Sequence, residues 1–326
     1  MQTVEEKILR AVNTYDMVKA GDNVVVGLSG GADSVTLLYG LKRLEKELGI
    51  RLYACHINHN LRGEDSDNDQ RFAEKLCQSL GVEMRVFSVD VRGGLQKHQS
   101  TEEKARELRY EAFKKISGEL GARVATAHNA CDNSETVLLN ILRGTGLKGL
   151  CGIPPKRDYL IRPLIFCTRE EIEGYIRDNN LEFVTDKTNF STAYTRNKVR
   201  LEIIPRLTEI NPSFHTGIER MTSSLIEDSL FLEDMAKEAL DKAKSEEEGV
   251  YLSEYLLTLP KPIFTRVISL MLREKDIEPS ALRINGIAEI MEAGRGKINL
   301  EKNKFAVVKK GKAEIRYIPQ EYRAKS

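Results

Sequence analysis

No apolar run in this 326-residue chain approaches the length needed to cross a bilayer. Its opening residues, MQTVEEKILRAVNTYDM, mix acids with apolar positions at helical spacing, unlike the basic and then apolar layout of a secretion signal. A globular, cytoplasmic protein with no membrane partner is expected. The five cysteines, Cys55, Cys77, Cys131, Cys151 and Cys167, are odd in number, and no two stand at C-x-x-C spacing. That argues against a disulfide framework, a structural zinc or an iron–sulfur cluster, and for reduced thiols. There is no internal repeat and no low-complexity segment.

Charge of one sign is scarce overall but unevenly placed. The net charge is +1. From Arg295 onward, however, there are 10 basic and 3 acidic residues, so the body before it is acidic. Such an end is either a solvated surface or what a polyanion-binding module requires. With 41% hydrophobic and 30% charged residues, the chain is long enough for two domains and too well mixed to be disordered.

Four β-rich runs, NVVVGL, RLYACHIN, VEMRVFSV and ARVATAH, are each followed by an amphipathic helical pattern. That alternation predicts an α/β domain, a parallel sheet with helices on both faces, over residues 1–212. After Pro212 the pattern turns to long helices, FHTGIERMTSSLIEDSLFLEDMAKEALDKAKSEE and PIFTRVISLMLREK, then to the alternating KFAVVKKGKAEIRYI. A second, mostly helical domain with a short β finish is therefore expected over residues 213–326.

The turn after the first strand carries the chemistry. It reads Ser29-Gly30-Gly31-Ala32-Asp33-Ser34 and leads straight into a helical pattern. Adjacent glycines let backbone N–H groups converge, and the following helix adds partial positive charge, which together make an anion cradle. Ser29 and Ser34 are candidate hydroxyl donors. Asp33 has the wrong sign for phosphate unless a divalent cation intervenes, so it is a candidate Mg²⁺ contact. This turn is neither a Walker A loop, which ends in Gly-Lys-Ser/Thr, nor a G-x-G-x-x-G dinucleotide turn.

The string S-G-G-x-D-S resembles the pyrophosphate loop of the N-type ATP pyrophosphatases, the PP-loop superfamily, whose fold is adenine nucleotide alpha-hydrolase-like. Four more stretches, in order, are His56–Phe72, Ser100–Phe113, Ala127–Pro154 and Asp186–Arg200. With the loop they resemble the tRNA(Ile)-lysidine synthetase family, over roughly residues 20 to 207 and more faintly beyond. The resemblance implies an ATP- and Mg²⁺-dependent ligase of tRNA modification. It would join free L-lysine to C2 of the wobble cytidine of a CAU-anticodon tRNA(Ile) through an adenylated cytidine, turning ATP into AMP and pyrophosphate.

The resemblance also assigns candidate residues. Asp132 and Glu135, one helical turn apart, are implied in lysine binding, although Asp-x-x-Glu is equally a helix-capping pattern. Arg109 and Arg200 are favoured over Arg106 and Arg196 as catalytic or phosphate-binding groups, although a helical arginine is commonly a surface ion pair. His56 and His128 are implied beside the nucleotide. The acids near His56 and His59 invite a metal reading, but histidines three apart straddle a strand end and lack a third ligand at motif spacing. The glycine-rich stretch Arg143–Pro154 suggests a loop that admits an anticodon. Members of the family commonly carry two acids and a glutamine where this chain has Cys131-Asp132-Asn133, which leaves the role of position 131 in doubt. Longer members carry a further C-terminal tRNA-binding domain, so tRNA selection is expected to rest on the helical domain and its basic end. The sequence leaves a homodimer open.

Rival readings are a PP-loop tRNA thiolation enzyme, a small-molecule amidating ligase and a module that binds ATP without turnover. The first lacks its paired cysteines, and the second has no use for a basic helical domain. Removal of the chain from Arg295 onward is expected to weaken tRNA binding and flatten its salt dependence, by about one unit of log K against log salt for each phosphate no longer neutralised. An unchanged slope would return that end to a solvated surface.

Overall fold

The computed structural model describes residues 2–59, 64–91, 93–95, 99–184 and 195–318. Parts of two stretches quoted above, 60–63 and 186–194, and the last eight residues therefore lie outside the described residues. Within unit one the elements run α1 (Val4–Thr14), β1 (Asn23–Gly27), α2 (Ala32–Leu48), β2 (Arg51–Asn58), α3 (Glu64–Leu80), β3 (Glu83–Ser88), α4 (Thr101–Leu120), β4 (Ala122–Ala125), α5 (Ala130–Leu142), α6 (Leu147–Leu150), β5 (Lys156–Arg157), β6 (Leu160–Ile161) and α7 (Arg169–Asp178). Then come α8 (Thr195–Lys198), a π-helical turn (Val199–Ile203), α9 (Ile204–Ile210) and α10 (Phe214–Ala243).

The first sheet has the order β3-β2-β1-β4-β6-β5, parallel throughout except for the β5–β6 hairpin. β1 reads as an unbroken apolar run because both of its faces are covered. Val24 and Val26 pack into the core that α2 helps to build, while Val25 packs with Phe113 and Ile116 of α4 on the opposite face. Each fully buried valine or leucine contributes about 1.5–3 kcal/mol. Gly27 closes β1 without a side chain for a steric reason: a Cβ there would stand 2.7 Å from Cζ of Phe113. The glycine thus lets α4 lie directly on the strand that feeds the loop. The chain leaves β1 for β2 on one side and β4 lies on the other, so the strand order reverses at β1. A crevice opens there at the carboxyl ends of the strands.

The compact units are Met1–Ser224 and Leu225–Ser326. The division falls inside α10, twelve residues past the expected boundary at Pro212. That turn starts a helix and does not end a domain. The first turns of α10 belong to unit one through polar pairs: Nδ1 of His215 lies 2.8 Å from the Ser134 hydroxyl, Arg10 pairs with Glu219, and Nδ2 of Asn133 donates to Thr222 at 3.3 Å.

Unit two adds β7 (Val250–Leu252), α11 (Ser253–Leu257), α12 (Lys261–Arg273), α13 (Ala281–Glu292), β8 (Arg295–Glu301), β9 (Lys304–Lys309) and β10 (Lys312–Tyr317). Its antiparallel sheet, β7-β10-β9-β8, is larger than the expected finish, because β7 and β8 join the hairpin legible at Lys304–Tyr317. Val267, Ile268, Met271 and Leu272 of α12 pack with Ala306, Val308, Ala313 and Ile315 of the strands. Among the described residues, no helix is long and apolar enough to cross a membrane.

This sheet changes how the basic end must be tested. Truncation at Arg295 would remove three strands and the core residues Leu300, Ala306, Val308, Ala313 and Ile315, so weaker binding would report unfolding. The register offers a cleaner probe. Arg295 faces Lys309, and Lys309 faces Lys312 across the next strand; Lys312 pairs with Glu247 at 2.6 Å, while Arg295 beside Lys309 is a like-charge pair that costs stability unless an anion meets it. Arg295→Ala combined with Lys309→Ala is expected to leave the circular dichroism spectrum intact and to reduce the salt slope of tRNA binding, by about one unit for each phosphate these side chains neutralise.

Candidate functional site

The turn from β1 to α2 is built as an open anion cradle. Gly30 has φ +89°, in the left-handed region, and Gly31 caps α2 with no side-chain hydrogen bond to the helix N-terminus. The first-turn N–H groups of α2 are therefore left for a ligand. The two hydroxyls brace the turn: Oγ of Ser34 donates to Gly31 O at 2.9 Å, accepts from Ser29 N at 3.2 Å, and lies 3.2 Å from Ser29 Oγ. Ser34 is buried, so its hydroxyl holds the shape of the loop more than it faces outward. His56 is also buried at the end of β2, with Nδ1 2.9 Å from Leu28 O. It fixes the strand that carries the loop.

A second loop, from β4 to α5, faces the first across the switch point. Fully buried Asn129 caps α5, its Oδ1 accepting from Cys131 N and Asp132 N at 2.9 and 3.0 Å. Its Nδ2 donates to Oδ1 of Asp33 at 3.2 Å, which ties the two loops together. Asp132 completes the capping box through Oδ2, which accepts from Asn129 N at 3.2 Å. Its other oxygen, Oδ1, accepts from Arg200 Nη2 at 3.0 Å. One carboxylate thus starts the helix and serves the site.

Glu135 lies a turn deeper, with 1% of its side chain exposed. Arg196 and Arg200 are four apart, on one face of the α8 and π-helical segment, and they converge on it. Nε of Arg196 donates to Oε2 at 2.8 Å, Nε of Arg200 donates to Oε1 at 2.5 Å, and Nη2 of Arg200 reaches Oε2 at 3.0 Å. A buried carboxylate requires such partners.

These groups border a cavity of about 1470 Å³, which Ser29, Gly31, Ala32, Asp33 and Ser34 line together with His56, Arg106, Arg109, His128, Asp132, Arg196 and Arg200. Gly30 and Glu135 do not line it, although Glu135 is held by Arg196 and Arg200, which do. The structure thus brings the candidate residues into one place. Phe113, anchored on Gly27, sets α4 so that Arg109, one turn earlier, faces the cavity, whereas Arg106 stacks over Tyr110 at 5.1 Å. Burial pushes the Asp33 carboxyl above its ordinary range and the charge of Asp132 adds to it, against Arg169, the Asn129 bond and Arg200. Burial and then the charge of Arg106 lower Arg109. Burial, reinforced by Arg162, Arg106, Arg196 and Arg109, drives His128 down to about 3, so its imidazole is neutral at any working pH. Its Nδ1 lies 3.0 Å from Thr126 Oγ1.

Sequence reasoning passed over Asn129 and Arg169. An asparagine three residues before an aspartate is itself a capping-box signal and would have found the first. Arg169 carries no local signal, since only the fold brings α7 to the cavity. Cys131 has Sγ 3.6 Å from Nε2 of His215, and burial raises its thiol. The glycine-rich stretch expected as an open loop is partly ordered. It holds α6, and Asn133 Oδ1 accepts from Ile153 N at 2.8 Å and occupies the space that a Cβ on Gly152 would need.

An uncapped helix N-terminus at the switch point of a parallel sheet, opposed by arginines and a buried acid pair, defines a nucleotide-binding α/β protein. The family profile of the PP-loop domain matches residues 1–207. The tRNA(Ile)-lysidine synthase of Clostridium perfringens is 35% identical over 324 residues, 97% of this chain and 69% of that protein. That of Caldanaerobacter subterraneus subsp. tengcongensis is 42% identical over 240 residues, 73% of this chain and 51% of that protein. The chain belongs to the tRNA(Ile)-lysidine synthase family of PP-loop proteins. The chain spans about half the length of the Caldanaerobacter relative and 69% of the Clostridium perfringens one. The solved U34-tRNA thiolase NcsA from Methanococcus maripaludis, with its [4Fe-4S] cluster, shares the fold: TM-score 0.57 at 23% identity, over 69% of this chain and 78% of that one.

The low His128 pKa has a thermodynamic consequence. Below the ordinary histidine value of 6.5 the unfolded chain takes up a proton that the folded chain refuses until about 3, so stability is full above 6.5 and falls with pH below it. His128→Asn is expected to recover about 1–2 kcal/mol of the stability that disappears between pH 7 and pH 5, read from urea midpoints at the two pH values.

Proposed function

We propose that the protein ligates free L-lysine to C2 of the wobble cytidine of an isoleucine tRNA with a CAU anticodon, consuming ATP and releasing AMP and pyrophosphate. One observation carries the reading: Asp132, whose partner Arg200 also holds Glu135, and an open helix N-terminus suited to phosphate border the same cavity. Membership of the lysidine synthase family supports it. The cytidine O2 attacks the α-phosphorus of ATP, and the bond to the pyrophosphate oxygen breaks. The lysine ε-amine then attacks C2, and the C2–O bond breaks with AMP as the leaving group.

In this reading the N–H groups at Gly31, Ala32 and Asp33 hold the pyrophosphate, with Ser29 and Ser34 keeping the turn in shape. Arg109 and Arg200 stabilise the charge that develops on the transferring phosphorus. His128, neutral and close to the nucleotide, orients it without adding charge. Asp132 and Glu135 take the lysine ammonium. The contact that yields to it is Arg196 Nη2 to Asp132 Oδ1, the longest of the set at 3.6 Å and made by a guanidinium 41% exposed. Asp33 suits a divalent cation, because burial and Asp132 already disfavour its charge and a cation would offset both. Bound Mg²⁺ would neutralise part of the charge on the phosphates. The second unit, with its basic cross-strand pair, is the tRNA-binding part.

A sulfur-transfer reading is less favoured by the thiols themselves. Burial pushes Cys55 and Cys167 up to about 12, far from the thiolate needed for sulfur transfer or cluster ligation.

Incubation of the protein with radiolabelled lysine, unfractionated tRNA, ATP and Mg²⁺ is expected to label an isoleucine tRNA, and only when ATP is present. Pyrophosphate release stimulated by tRNA without label would move the chemistry to another nucleophile. Asp33→Asn is expected to cut pyrophosphate release by about 100-fold or more with the fold intact; near-normal turnover would remove Asp33 from the metal role.

A further inference from the structure

The arginines around the cavity fall into two groups. Arg196 and Arg200 are committed to Asp132 and Glu135. Arg162 is buried and donates to the Pro154 carbonyl, and Arg106 lies over the Tyr110 ring with Nη2 3.4 Å from its hydroxyl. Arg109 is already assigned to the transferring phosphorus, together with the Arg200 that the acid pair holds. That leaves Arg169, the first residue of α7 behind its capping Thr168. It lines the cavity together with Asp33 and makes no ion pair or side-chain hydrogen bond with another described residue.

Two features make this more than a spare surface charge. Glu173, one turn along α7, lines the same cavity, yet the two side chains form no ion pair, although such spacing commonly favours one. The phosphate loop, with Asp33, lines the same cavity as Arg169. Asp33 nevertheless takes its hydrogen bond from Asn129. Arg169 is therefore a cation that shares the cavity with the anion cradle and is not consumed by a neighbouring acid.

We propose that Arg169 is a phosphate-contacting residue of this site, meeting the pyrophosphate portion of the nucleotide. The inference rests on the nucleotide reading of the cavity. A guanidinium presents paired donors to a phosphate, and removal of one such charge-assisted pair weakens binding by about ten- to a hundred-fold. The α-carboxylate of lysine is the other anion that would suit it. The phosphate loop lines the same cavity as Arg169, and Asp132 and Glu135 are served by other arginines, which favours phosphate.

The test is calorimetric titration of the full chain with inorganic pyrophosphate in the presence of Mg²⁺, and separately with adenosine, for the unaltered protein, Arg169→Gln and Arg169→Lys. Arg169→Gln is expected to weaken pyrophosphate about ten- to a hundred-fold and to leave adenosine unchanged, with Arg169→Lys in between; in the lysine-incorporation assay the KM for ATP rises and that for lysine does not. Equal pyrophosphate affinity in all three proteins overturns the assignment. So does a parallel fall in adenosine binding, which marks a structural role, or a rise confined to the KM for lysine, which gives the guanidinium to the carboxylate. Failure of the unaltered protein to bind pyrophosphate at all overturns the nucleotide reading, and this inference with it.

Discussion

The Glu135 carboxylate, nearly sealed from solvent and held by two guanidiniums, is the interaction on which the site depends. A buried charge of this kind is tolerated only with its partners in place, and removal of one partner costs about 3–5 kcal/mol. It therefore dictates where three elements must lie. α5 has to carry Glu135 inward, and the segment from Thr195 to Ile203 has to present Arg196 and Arg200 on one face. The α5 N-terminus must also stay capped so that Asp132 can share Arg200.

The same arrangement couples the two loops at the switch point. Asn129 bonds the start of α5 and also Asp33, so the phosphate cradle and the acid pair cannot shift independently. Charge is graded across the cavity. Asp33 is destabilised as an anion, His128 is kept neutral, and Arg109 is partly stripped of solvent, all because the walls remove water while like charges crowd together. Perturbation concentrated in one cleft is what a site that must receive a polyanion and a cation together would require.

Much of this was legible in the chain. The alternation of β-rich and helical runs specified a parallel sheet, because strands covered on both faces must be apolar throughout, and β1 is. The turn Ser29–Ser34 read as an anion cradle from its paired glycines, its hydroxyls and the helix that follows it. Asp132 and Glu135 were legible as a pair, but the expected Asp132-x-x-Glu135 capping box is not the one formed: Asn129 caps α5, Asp132 closes that box, and Glu135 turns to Arg196 and Arg200. What escaped was non-local. Arg169 comes from a helix more than a hundred residues beyond the loop. The chain length between Cys131 and His215 hides their contact. The boundary after Ser224 reflects polar pairs between α10 and distant residues, which no composition shift at Pro212 reveals. β7 and β8 are too short or too polar to show a period of their own.

The sequence by itself determined the elements, the cradle and the residue types of the chemistry, since periodicity, glycine spacing and helix capping act within a few residues. Only the tertiary structure decided which arginines are spent on Glu135 and which stand unpaired toward the cavity. Pairing depends on distance in space, and burial sets what each unpaired charge costs.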